Sequence, residues 1–169
     1  MKKFILGHIC ILMIVCLMGC GGSTGVQVEG DHWTMTPEQL KQKLDETLTD
    51  TISLSEYNAL GLDEGIMYQF STSDDSMEIP WLLGIYPTSD GKYISEISIM
   101  GFVDDPDTTR LFVALVAGCI DESMDTALCA TMLKSQLEYH TDLIVAGIDD
   151  PATNNSEHFY AGAILPNTK

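Results

Sequence analysis

The groups able to do chemistry in this chain are few and scattered. Beyond residue 20 there are three histidines, His32, His140 and His158, and carboxylates gather at Asp104, Asp105 and Asp107 and again at Asp149 and Asp150. Loop carboxylates supply the oxygen ligands that Ca²⁺ takes in sets of about six to eight. Neither cluster has EF-hand spacing, and acids that open a helix or flank a turn need no metal to explain them. The expectation is therefore no metal site and no cofactor. Paired carboxylates also serve glycoside hydrolysis, but charge density without a cleft does not define such a site. Gly21-Gly22-Ser23-Thr24-Gly25 matches the G-x-S-x-G pattern of a nucleophile elbow, yet no strand precedes it and no helix follows. H-E-x-x-H, the P-loop, G-x-G-x-x-G after a strand and C-x-x-C are all absent from the sequence. A catalytic set would have to converge from distant positions in the fold, and the catalytic residues stay unknown at this level.

The most specific chemical signal is a thiol. Lys2 and Lys3 make a cationic start, Phe4 to Val15 is apolar apart from Gly7 and His8, and Leu17-Met18-Gly19-Cys20 closes the segment. A charged start, an apolar stretch and a small residue before the cut are the marks of an export signal. Leu17, Gly19 and Cys20 resemble the lipobox of bacterial lipoproteins. The resemblance implies cleavage between Gly19 and Cys20, acylation of the Cys20 thiol, and residence on the extracytoplasmic face of a cell membrane. It covers only the first twenty residues and carries no activity. The apolar segment is short for a spanning helix, which needs about 20 such residues. Acylation with two or three chains would hold the protein stably at a membrane.

Cleavage at Gly19 removes Cys10, Cys16, Lys2 and Lys3 but no carboxylate, leaving six basic residues against 25 acidic ones. So anionic a protein is repelled by nucleic-acid phosphates and by anionic headgroups, which excludes nucleic acid as an expected partner and leaves membrane attachment to the lipid. Of the remaining cysteines, Cys119 and Cys129 fall near facing ends of two predicted helices. An exported protein permits a disulfide between them, and two buried thiols acting as small hydrophobes are the other reading.

The elements that must position these groups are legible in part. Thr36-Pro37-Glu38-Gln39 has the cap, the first-turn Pro and the third-position Gln of a capping box, with Met35 and Leu40 placed as a hydrophobic staple. Leu40, Leu44 and Leu48 continue a narrow apolar stripe to about Asp50, with Lys41, Lys43, Asp45 and Glu46 on the solvated sides. Strands are predicted over 66–72, 79–86 and 93–102, the last two joined at Asp90-Gly91 as a hairpin. Trp81, in phase with Ile79, Leu83 and Ile85, is expected in the core. Asp105-Pro106-Asp107 opens a helix through Cys119, and a second helix carries Leu128, Cys129, Met132, Leu133, Leu137 and His140 on one face. Two last strands cover 143–148 and 158–165. The order α-β-β-β-α-α-β-β predicts an α+β fold, a hairpin-rich antiparallel sheet covered by an N-terminal helix and an αα-hairpin.

Three segments follow: a cleaved signal, 1–19; the lipidated cysteine and a flexible tether, 20–35; and one domain, 36–166. Fifteen tether residues stretched out would let the domain stand up to about 50 Å from the bilayer. Within the tether, Trp33 is expected to fold back onto the domain. The function expected is a membrane-anchored binding or protein-interaction module, whose partner is an envelope protein or a cell-wall component. The alternative is an envelope hydrolase whose site forms only in the fold. Oligomeric state is not legible.

Overall fold

The helix at Thr36 forms for the local reasons that its sequence contains. In the computed structural model, which describes residues 25–48, 52–57, 65–72, 81–102, 106–149 and 159–169, α1 spans Pro37–Thr47. Thr36 Oγ1 accepts from Gln39 N–H at 3.3 Å, and Gln39 Oε1 accepts from Thr36 N–H at 2.9 Å. Both halves of the capping box are thus made. Leu40 and Leu44 are fully buried, and Leu48 packs at the edge of the core after the helix has ended. Burying each leucine contributes about 1.5–3 kcal/mol, far more than the propensity of an 11-residue helix.

The sheet is antiparallel throughout. Its strands are β3 (Ile52–Glu56), β4 (Ile66–Thr72), β5 (Trp81–Pro87), β6 (Ile94–Phe102), β7 (Tyr139–His140), β8 (Ile144–Asp149) and β9 (Phe159–Pro166), in the spatial order β3-β4-β5-β6-β9-β8-β7. A small hairpin, β1 (Val28–Glu29) and β2 (His32–Trp33), joins the edge of β6 through Trp33 opposite Ile94. The turn between β5 and β6 is built as Asp90-Gly91 predicts. Gly91 takes φ +73°, Asp90 Oδ1 accepts from Thr88 Oγ1–H at 2.5 Å, and Thr88 N–H donates to the Tyr93 carbonyl at 2.7 Å.

Two helices separate β6 from β7. Helix α2 (Pro106–Ile120) is buried almost all round, from Phe112 through Ala117 without a break, because it lies between the sheet and the other two helices. It approaches the strands closely where they lack side chains. A methyl group at Gly101 would enter Thr109 Oγ1 and the Trp81 indole, and one at Gly162 would enter the Val113 side chain. Trp81 Nε1–H donates to Thr109 Oγ1 at 3.2 Å, and Phe112 stacks on Phe70 with centroids 4.3 Å apart. Trp81 is therefore a core residue, as its phase predicts. Helix α3 (Thr126–Lys134), capped by the Asp125 carboxylate on Leu128 N–H, buries Cys129 and Leu133.

The fold is α+β, as expected, but its element order is fuller than the sequence reading: β1, β2, β3 and β7 are additional. The domain begins before Thr36, since Val26 and Val28 pack on the core and Trp33 and Met35 are buried. Ten of the fifteen residues of the expected tether, 26–35, thus belong to the folded domain. Within helix α3 Leu128 is on the solvent side, 48% exposed, and because the helix stops at Lys134, Leu137, 55% exposed, lies outside the core and His140 belongs to β7 rather than to a helix face. Ser135 caps the helix and Gln136 turns away with φ +56°, which ends the periodicity that Leu137 appeared to continue.

Candidate functional site

Strand pairing sorts every side chain of the sheet onto one of two faces. Tyr68 lies opposite Leu83, Leu83 opposite Ile99, and Ile99 opposite Gly162. This is the helix face, and all three helices pack on it. The other face carries Met67, Gln69, Leu82, Tyr86, Glu96, Ser98, Met100, Ala161, Ala163, Leu165, Val145, Gly147 and Asp149, of which Met67 is buried and the rest are half-buried or exposed. Among the described residues no helix covers it. Leu165 is 41% exposed, and small side chains at its centre keep the surface low. Gly84 is part of that floor, since a methyl there would sit 2.6 Å from Ser98 Oγ and 3.1 Å from Met67 Sδ. An uncovered sheet face with an apolar centre is a surface that binding would dehydrate favourably.

The titratable groups are dispersed. His32 pairs with Asp31 at 3.3 Å and His140 with Glu138 at 3.1 Å, each an exposed contact between neighbours in sequence. The two histidines stand on different elements, β2 and β7. His158, Asp104, Asp105, Asp150, Gly19 and Cys20 lie outside the described residues. Asp107, at the start of α2, accepts from Arg110 at 2.8 Å and from Lys134 at 3.3 Å. Partial burial works against ionising that carboxyl, but the hydrogen bonds and charges of Lys134 and Arg110 prevail and hold it below the ordinary Asp range. Asp107 is thus engaged by cations of the protein itself. Among the described residues no three His, Cys, Asp or Glu side chains stand close enough to hold a metal ion.

Topology adds what spacing did not reveal. Strands β4, β6 and β8 run parallel to one another within the antiparallel sheet, so their C-terminal residues Thr72, Phe102 and Asp149 leave it at one end. Each is followed or joined in sequence by an Asp-Asp pair: Asp74-Asp75, Asp104-Asp105 and Asp149-Asp150. If these acids act as a solvated surface, Ca²⁺ should raise the melting temperature no more than NaCl of matched ionic strength. A saturating site at about 100 times its dissociation constant would instead add about 2.7 kcal/mol. Melting curves in the two salts distinguish the outcomes.

Cys119 and Cys129 are both buried thiols that are not bridged to each other. Cys119 Sγ lies 3.8 Å from Thr47 Oγ1 on α1, and burial pushes the Cys129 thiol up to about 12. The thiolate that would start exchange or nucleophilic chemistry at Cys129 is therefore suppressed.

The sheet-face residues are the group that sequence reasoning missed. A signal was present: Trp81-Leu82-Leu83 and Ile99-Met100 are apolar at successive positions, which in a strand places apolar groups on both faces. No helix among the described residues is long and apolar enough to cross a membrane. Comparison with protein-family models, with curated proteins and with solved structures finds no match.

Proposed function

We propose that this protein is an extracytoplasmic lipoprotein, cut before Cys20 and acylated on its thiol, that acts at the cell membrane as a binding module for an envelope protein or cell-wall component. The observation that carries the binding reading is the face of the sheet that no helix among the described residues covers, with Leu82, Met100, Val145 and Leu165 partly in water. Burying such side chains contributes about 25 cal/mol per Å² of apolar surface, and the small residues between them allow a partner's side chains to seat closely. The membrane reading rests on the lipobox-like Leu17-Met18-Gly19-Cys20.

Two measurements test the two halves. Cys20→Ser should release the protein from the membrane fraction while its thermal melting stays unchanged, and intact mass should show acyl chains on the wild type alone. A mature form without acyl mass would sink the anchoring reading. A photo-crosslinking side chain at Met100, on the uncovered face, should give a discrete adduct in intact envelopes, whereas one at Thr131, exposed on α3, should not. Equal labelling from both positions would sink the binding reading.

A further inference from the structure

The tether is shorter than the sequence spacing implies, and this decides which part of the domain meets the bilayer. Gln27 and Thr34 clasp the β1–β2 hairpin, Thr34 N–H donating to the Gln27 carbonyl at 2.9 Å and Gln27 N–H to Thr34 Oγ1 at 3.0 Å. Trp33 anchors it, with no exposed surface and with Nε1–H donating to the Leu143 carbonyl at 2.8 Å. Only Gly21 to Gly25 separate Cys20 from the folded Val26. That stretch reaches at most about 20 Å extended and roughly 13 Å as a coil. The nine-residue β6 alone is about 30 Å long at 3.3 Å per residue. A tether shorter than the domain cannot present both of its ends to the same surface.

The entry end is well defined. Trp33 pairs with Ile94, the first residue of β6, so the hairpin, the β5–β6 turn and the C-terminal residues around Asn167 share one pole of the sheet. There the His32 ring stacks on Tyr93 at 5.3 Å and 12°, and Lys92 Nζ sits 4.4 Å from the centre of the Tyr93 ring. Tyr57, 38% exposed, follows the end of β3 at the same pole. Aromatic rings with polar tips, beside a long cationic side chain, suit the headgroup layer. Glu29, Asp31 and Asp90 are exposed there too, so attraction to anionic lipid is not what holds this pole down.

We propose that the pole bearing the β1–β2 hairpin and the β5–β6 turn faces the phospholipid headgroups, with Tyr93, His32 and Lys92 toward them, while the pole where β4, β6 and β8 end faces away. This rests on the anchoring of Cys20 and is tested separately from it. Mature acylated protein is reconstituted in phosphatidylcholine vesicles that carry a spin-labelled headgroup. A fluorophore is attached through Ser89→Cys in the β5–β6 turn or through Ser135→Cys, next to Lys134, whose Nζ reaches Asp107 at the opposite pole; both serines are exposed, and the buried Cys119 and Cys129 are withheld from labelling. Several-fold stronger quenching at position 89 is expected. Equal quenching at the two positions, with the acyl mass on Cys20 confirmed, would overturn the orientation without touching the anchor. Inserting about 20 Gly and Ser residues after Gly25 should erase the difference, because the coil then reaches roughly 28 Å. Persistence of the difference in that variant would overturn the short tether as its cause.

Discussion

Trp33→Ala should destabilise the domain by about 3–5 kcal/mol, although residue 33 lies in what composition marks as a tether. The indole is fully buried, its N–H holds the Leu143 carbonyl, and its backbone pairs with Ile94. Removing it opens a cavity and takes from that carbonyl one of its two donors, the other being the Asn167 N–H at 3.1 Å, so the cavity is the larger cost. Against a typical total stability of about 5–15 kcal/mol, the loss is a large share. A drop of about 6–20 °C in melting temperature is expected at roughly 2–4 °C per kcal/mol. Deleting the chain through Gly25 should leave melting unchanged, whereas deleting it through Thr34 should reproduce the Trp33 effect. Unchanged melting of Trp33→Ala would mean that the hairpin is only draped on the core.

A second large effect is expected on α1. Leu44→Asp places a carboxylate at a site with no exposed surface, at a cost on the order of 3 kcal/mol or more. Lys43→Asp, on the side that the stripe marks as solvated, is not neutral either. Lys43 Nζ lies 2.6 Å from Glu122 and 3.2 Å from the Cys119 carbonyl, so it ties α1 to the end of α2 and opposes that helix's negative terminus. Reversing its charge should cost about 1 kcal/mol, still well short of the Leu44 change. Glu46→Gln is the neutral control, because its exposed side chain accepts from Gln42 and an amide oxygen can replace the carboxylate, with an expected change within about 0.5 kcal/mol. Chemical denaturation of the three variants separates these outcomes, and equal stability of all three would mean that the wrong face of α1 is assigned to the core.

The contrast between Lys43 and Leu44 shows where sequence reading stops. Leu40 and Leu44 are legible because a helical period of apolar residues needs no knowledge of what it packs against. Glu122 is 79 positions from Lys43, and nothing local marks the pair. The same distinction separates Asp90-Gly91, whose turn is a property of a few adjacent dihedrals, from β1, β2 and β7, two-residue strands whose only reason to exist is the partner beside them. Leu137 illustrates the converse error: its spacing extends the apolar face of α3, but the chain has already left the helix at Ser135 and Gln136.

What the amino-acid order determined by itself is therefore local: the capping box at Thr36, the turn at Asp90-Gly91, and the periodic stretches from which the α+β class follows. Each depends on residues within a few positions of one another, where sequence spacing is also spatial distance. Only the tertiary structure decided that Trp33 belongs to the core, that α2 runs over Gly101 and Gly162, and that Leu82, Met100, Val145 and Leu165 share one face, which no helix among the described residues covers. Those relations are set by register between strands that are distant in the chain, and a shift of one residue in that register would turn every one of these side chains to the opposite face.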